Sequence, residues 1–208
     1  MKDYYQIALD VEGKPCLVVG GGEEAVEKTE RLLEAGAAVT VVSPEVAPQL
    51  AAREQEGRIA VRRRPFRPED VEGVFLVQNC VKGDPDLSAG LYALSRERRF
   101  LVGAWDQPQF STYTMPALVR RGRLRLAIST GAASPGLSGI LRRDLERLFD
   151  DEFVSYLDWL AERRREIEAA EPDRGRRAAR NRENTRGFRL EGEITYPETY
   201  VRKQRSGG

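Results

Sequence analysis

The chain has 208 residues and a formal net charge of +1, from 34 Lys and Arg against 33 Asp and Glu, and it contains no histidine. That length suits one substantial domain with an appendage, and the balanced charge gives no electrostatic reason to expect nucleic acid or a membrane surface as partner. With no histidine and only two cysteines, a His/Cys metal cage cannot be built and Ser-His-Asp or Cys-His catalysis is excluded. Acid–base chemistry therefore falls to carboxylates, Tyr, Lys or Cys.

The N-terminal stretch MKDYYQIALD has no signal-peptide core, and the longest apolar runs have strand length, so the chain is expected to be cytoplasmic. From Cys16 to Val42 the sequence reads CLVVGGGEEAVEKTERLLEAGAAVTVV. An apolar strand leads into a Gly-rich turn, an amphipathic helix over Glu23 to Ala35, a stop at Gly36 and a second strand. Gly20, Gly22 and Ala25 fill the small-residue slots of G-x-G-x-x-G/A: a tight turn, room for a pyrophosphate against backbone, and close packing of helix on strand. Gly21, Glu23 and Glu24 complete the turn and open the helix, whose free N–H groups suit phosphate. The unit predicts a nucleotide cofactor.

After the second strand come Ser43, Pro44 and Glu45, with no Arg or Lys before Arg53, which favours NAD over NADP. Glu45 is either an acceptor for a ribose hydroxyl or an acidic first-turn residue of the next helix. The α/β alternation continues with a helix over 45–55, strands over 58–62 and 74–78, a helix over 85–98 and a strand over 100–104. Cys16 and Cys80 fall at opposite strand ends and are expected to be separate buried thiols. A hairpin follows, with strands over 113–120 and 123–129 around Arg121 and Gly122, then helices over 135–149 and 152–170. Leu137, Leu141, Leu145 and Leu148 share a face of the first helix, and Phe153, Tyr156, Leu157 and Leu160 a face of the second. Such faces pack inside the chain or against another subunit.

From Pro172 the chain is Arg-rich without apolar periodicity, which predicts a disordered or loosely attached tail rather than an RNA-binding arm, since acidic residues are interspersed. The expected fold class is α/β: a Rossmann-like parallel sheet, then a small β-hairpin and a helical region. The domains are expected at 1–112 (nucleotide binding), 113–170 (hairpin and helices) and 171–208 (tail).

A second loaded segment runs from Val102 to Gly136. Asp106 directly follows a strand's carboxyl end, the edge at which open α/β sheets bind ligands, and is either a general base or the start of a turn before Pro108. Ser129, Thr130, Gly131, Ala132, Ala133, Ser134 and Pro135 link hairpin to helix; this hydroxyl-rich loop is an anion site, or only a helix cap with Ser134 as N-cap. Arg120, Arg121, Arg123 and Arg125 alternate through the hairpin, suited to carboxylates if they gather on one face.

These motifs together resemble the precorrin-2 dehydrogenase/sirohydrochlorin ferrochelatase family, including the N-terminal module of sirohaem synthase. The likeness runs in order over about residues 4–150, through Gly20-Gly21-Gly22-Glu23-Glu24-Ala25 with Lys28, Asp106 at the family's catalytic position, and the Ser129–Pro135 loop. It implies NAD-dependent oxidation of precorrin-2 to sirohydrochlorin, ferrous iron insertion in bifunctional members, and a homodimer formed through the region after the nucleotide-binding domain. In this reading Asp106 is catalytic; Gly20, Gly21, Gly22, Glu23, Glu24, Pro44 and Glu45 hold NAD; and Ser129, Thr130, Gly131, Ser134, Arg120 and Arg121 hold the carboxylates of the tetrapyrrole. The chain departs from the family where Glu24 replaces a Val, Gly103 replaces an Asn, and Gln78 to Gly83 follow a different, longer pattern. A non-catalytic NAD- or tetrapyrrole-binding module of the same pathway is the other reading.

Overall fold

The computed structural model describes residues 4–197. The strands β1 (Pro15–Val19), β2 (Ala38–Val42), β3 (Ile59–Arg62), β4 (Leu76–Asn79) and β5 (Leu101–Ala104) form one parallel sheet in the order β3-β2-β1-β4-β5. Crossovers are carried by α1 (Glu23–Glu34), α2 (Pro48–Gln55) and α3 (Pro85–Arg98). Strands buried on both faces need continuous apolar runs, and β1 supplies one. Cys16 and Val18 face one core with Val39, Val41, Ala25 and Leu50, while Leu17 and Val19 face the other with Val42, Val77, Val102 and Leu91. The order runs outward from β1 in both directions, so the crevice for a ligand opens where β1 and β4 end side by side.

The chain folds as two compact units: residues through Pro116 with Ser129–Pro135, and Ala117–Ile128 with the residues from Gly136 on. The expected boundary after residue 112 moves because the chain beyond it runs back along β5. Thr112 N–H donates to Val102 O at 2.8 Å, Ala104 N–H to Ser111 Oγ at 2.9 Å, and Tyr113 reaches β4. The 129–135 loop, expected with the hairpin, belongs to the unit that bears the sheet.

Asp70, in a short 3₁₀ turn after β3, is buried, accepts from Arg62 at 2.5 Å, from Arg64 at 2.6 Å and from Arg67 N–H at 2.9 Å, and has its pKa lowered to about 2, above all by the Arg64 hydrogen bond. A carboxyl depressed in the folded state contributes stability above its unfolded pKa and loses it as pH falls through the folded value. Here the window runs from 3.8 down to about 2, and the shift corresponds to about 2 kcal/mol. Asp70→Asn is expected to lower stability at pH 7 by about that amount and to flatten the acid limb between pH 4 and 2. Urea unfolding across that range checks it; an unchanged acid limb counts against the assignment.

The second unit contains the antiparallel pair β6 (Ala117–Arg121) and β7 (Leu124–Ile128), with Arg121 opposite Leu124. The turn is therefore Gly122-Arg123, one residue later than expected, with Gly122 at φ +52° in the first central position. Next come α4 (Pro135–Leu148) and α5 (Asp151–Ala170), the latter capped by Asp150, whose carboxylate accepts from Phe153 N–H at 2.9 Å.

The expected disordered tail is partly ordered. Asp173 caps a helix α6 (Arg174–Glu183) by accepting from Arg176 N–H at 2.8 Å, and the chain beyond it returns to α5. Tyr156 Oη donates to Asn184 O at 3.0 Å, and Phe188 stacks on Tyr156 with ring centroids 5.6 Å apart. The helix has almost no apolar residues of its own, so periodicity could not reveal it; the anchor is an aromatic that follows it. Residues 198–208 of that expectation lie outside the described residues. Deleting the chain after Glu171 is expected to cost about 2 kcal/mol through the lost ring contacts, measured as a lower melting temperature with a weaker near-ultraviolet circular dichroism signal. An unchanged signal would mean that this segment does not dock.

Candidate active site

The three glycines after β1 have three different physical reasons. Gly20 adopts φ +110°, and a Cβ there would lie 3.3 Å from the Cys80 carbonyl carbon, so β4's end closes over it. Gly21 is packed from the other side: a Cβ would meet Glu45 O at 1.9 Å, and Ala47 N–H donates to Gly21 O at 2.7 Å. Gly22 faces open space, with nothing within 4 Å of a Cβ, and is the N-cap of α1 without any side-chain cap. The first N–H groups of α1 thus stand beside free room, the arrangement that suits a pyrophosphate. Ala25 is fully buried beneath it, as close helix packing requires. Glu23 is exposed, whereas Glu24 pairs with Lys28 at 2.7 Å, so Glu24 offers the site its backbone N–H and not its carboxylate.

Pro44 and Glu45 are exposed in the loop between β2 and α2. Because α2 starts only at Pro48 and its first turn has no acidic residue, Glu45 is not a first-turn residue, and it stands just beyond β2, where a ribose hydroxyl would seek an acceptor. The nearest basic group, Arg53, is held by Glu30 at 2.7 Å and Glu56 at 2.9 Å, while Arg63 pairs with Glu54 and both Arg62 and Arg64 with Asp70. No uncommitted guanidinium among these awaits a 2′-phosphate.

On the other side of β1, the positions that depart from the family prove mutually adapted. Gln78 accepts from Tyr113 Oη at 2.7 Å, and the Tyr113 ring lies so close over Gly103 that a Cβ there would be 2.8 Å from its Cζ. Asn79 is fully buried; its amide donates to Ser88 Oγ at 2.9 Å and its carbonyl accepts from Val81 N–H at 3.1 Å, which shapes the loop running into α3. Burial pushes the Tyr113 phenol far up, the Cys16 thiol up to about 11 and the Cys80 thiol up to about 12. All three stay protonated at neutral pH and none is a base or nucleophile there. Both cysteines are free, as expected.

Asp106 is exposed and sits at φ +58°, immediately after Trp105, whose N–H extends the β4–β5 ladder to Asn79 O at 3.0 Å. With β4 between β5 and β1, Asp106 and the glycine turn end strands about 10 Å apart. Two neighbours were not legible from sequence. Lys82 Nζ lies 5.6 Å from the Trp105 ring centroid, and Gln107 is buried with an Oε1 that has no hydrogen-bond partner among the described residues. A lysine and a glutamine in loops carry no periodicity to find them by.

The 129–135 loop is largely satisfied by itself. Gly131 N–H donates to Ser129 Oγ at 3.3 Å, Ala133 N–H to Thr130 O at 3.0 Å, and Ser134 N–H to Thr130 Oγ1 at 3.2 Å, with Gly131 and Ala132 both at positive φ. Three of the donors expected for an anion thus close the turn. The hairpin arginines are similarly employed within the second unit: Arg121 Nε donates to Phe149 O at 2.5 Å and its Nη2 pairs with Asp151, while Arg123 pairs with Asp158. Arg121 therefore braces β6 against the α4–α5 corner, a task alternation along a strand could not disclose. Arg120 is exposed on β6. Among the described residues no cluster of three or more His, Cys, Asp or Glu could hold a metal ion, and no helix is long and apolar enough to cross a membrane.

Residues 7–117 match a protein family described as "Putative NAD(P)-binding". The solved structure of SirC, a precorrin-2 dehydrogenase, superposes with a TM-score of 0.73 and 31% sequence identity, covering 86% of this chain and 88% of that one. The chain belongs to the precorrin-2 dehydrogenase family. Siroheme synthase 1 of Pectobacterium atrosepticum is 38% identical over 146 residues, 70% of this chain and 30% of that protein. Siroheme synthase of Methylobacillus flagellatus is 35% identical over 161 residues, 77% of this chain and 34% of that protein. The chain thus spans about a third of the length of these curated relatives. The dinucleotide-binding, Rossmann-like architecture expected from the glycine turn is the family's.

Proposed function

We propose that the protein is an NAD-dependent precorrin-2 dehydrogenase, converting precorrin-2 to sirohydrochlorin in sirohaem biosynthesis. The observation that carries the reading is Asp106, an exposed carboxylate two strands across the same sheet edge from an uncapped, open helix N-terminus. The open face at Gly22 and the unsatisfied N–H groups of α1 fit a pyrophosphate, and Glu45 fits a ribose hydroxyl. When bound, NAD⁺ supplies the hydride acceptor. Oxidation of the macrocycle by two electrons then releases one hydride and one proton, and Asp106 takes the proton. The same carboxylate suits acceptance of pyrrole N–H protons if ferrous iron, as substrate, enters the ring.

Tyr113 and the two buried thiols are excluded as rivals by their raised pKa values, which leaves Asp106 as the one base argued for at this edge. A homodimer also belongs to this reading: Leu137, Ile140, Leu141 and Leu148 remain exposed along α4, an apolar stripe suited to a second copy. Sedimentation equilibrium checks that part.

Absorbance of precorrin-2 with NAD, followed by addition of ferrous iron, tests the whole reading. The expected result is formation of sirohydrochlorin with stoichiometric NADH, NAD binding more tightly than NADP, and a further spectral change on iron addition if chelation occurs. Binding of NAD or sirohydrochlorin with no turnover of either step would instead favour a non-catalytic carrier or regulator.

A further inference from the structure

Lys82 lies in the loop between β4 and α3, exposed, and its ammonium has no carboxylate partner among the described residues. By contrast, Lys28 in α1, Arg53 in α2 and Arg62, Arg63 and Arg64 at the end of β3 are each paired with a carboxylate. The loop's course is set by Asn79, which accepts from Val81 N–H, and by contact of Cys80 and Val81 with Gly20. The base of the loop thus faces the phosphate turn, and the ammonium lies 5.6 Å from the centroid of the Trp105 ring, which follows β5, the strand on the far side of β4 from β1. An indole face holds a cation in place without neutralising it.

We propose that Lys82, propped on Trp105, binds a carboxylate of the macrocyclic substrate beside Asp106. The proposal rests on the dehydrogenase reading. A substrate fringed with carboxylates is repelled by the negative Asp106 that must approach it, and a fixed cation next door offsets that repulsion. A charge-assisted contact of ammonium and carboxylate also orients the ring. Because the ammonium leans toward β5, the substrate and not the cofactor's pyrophosphate is its partner.

The protein has two tryptophans, Trp105 and Trp159, so Trp159→Phe leaves Trp105 as the sole reporter. In that background, sirohydrochlorin and NAD are titrated separately by indole quenching, with and without Lys82→Met. Loss of one charge-assisted contact is expected to weaken sirohydrochlorin binding about tenfold, with a shallower salt dependence. NAD affinity should stay within about twofold, and Lys82→Arg should restore the macrocycle's affinity. In turnover, Lys82→Met should raise KM for precorrin-2 about tenfold with little change in kcat, the sign of an interaction made equally in ground and transition states. Unchanged sirohydrochlorin affinity, or weakened NAD binding in its place, overturns the proposal and leaves the dehydrogenase reading standing. A wild-type protein that binds no sirohydrochlorin overturns both.

Discussion

Replacing Asp106 by Asn is expected to reduce turnover of precorrin-2 by roughly 10²–10⁴-fold, the range for loss of a general base. The substitution isolates the proton-accepting function because of the backbone beneath it. Asp106 sits at φ +58°, a left-handed conformation that Asn tolerates as readily as Asp, so no conformational penalty is introduced. Alanine would confuse the result by adding strain to the loss of the carboxylate. Fold, NAD affinity and oligomeric state should be unchanged, and iron insertion should fall in parallel if the same group accepts the pyrrole protons. Initial rates of NADH formation provide the measurement. Retention of near wild-type rates in both steps would reduce Asp106 to a turn residue and remove the catalytic assignment.

Gly22→Asp is expected to abolish dinucleotide binding, weakening it by at least about 100-fold while leaving the fold intact. A Cβ at Gly22 meets nothing within 4 Å, so the side chain is sterically admissible in the free protein. Its carboxylate, however, would stand where the helix N-terminus offers its N–H groups to a pyrophosphate, and two anions cannot share that site. Gly21→Ala is the instructive contrast. Its Cβ would lie 1.9 Å from Glu45 O, so the β2–α2 loop must move, and the damage there is structural. Calorimetric titration with NAD alongside thermal melting separates the two: Gly22→Asp should lose binding with an unaltered melting temperature, and Gly21→Ala should lower that temperature. Normal NAD affinity in Gly22→Asp would place the cofactor elsewhere.

The glycine turn, Asp106 and the parallel sheet were legible in the sequence because each depends on local patterns. An apolar run between Cys16 and Val19, small residues at Gly20, Gly22 and Ala25, and a carboxylate straight after a strand need no knowledge of what lies across the fold. The helix expected over 85–98 is α3, and the structure shows local ends that bound it, with Asp84 as cap and Arg99 left-handed at the close. Even the departures at Gln78 and Gly103 were visible as departures. Their meaning was not, since Gln78 and Gly103 are reconciled by Tyr113, which approaches both only when the chain folds back along β5.

The sequence by itself thus determined the class of fold, the glycine turn after the first strand and the place of Asp106 directly after another, because backbone conformation and burial periodicity are read over a few residues. Tertiary structure alone decided which charged groups remain available. Arg121 and Arg123 have the composition of a carboxylate-binding patch, yet hydrogen bonds to Phe149 and Asp151 and an ion pair with Asp158 engage them. Lys82 has no motif around it, yet its ammonium is left over the Trp105 indole without a carboxylate partner among the described residues. Electrostatic commitment depends on partners distant in the chain, up to 35 residues away for Arg123 and Asp158, and no window of local pattern contains both members of such a pair.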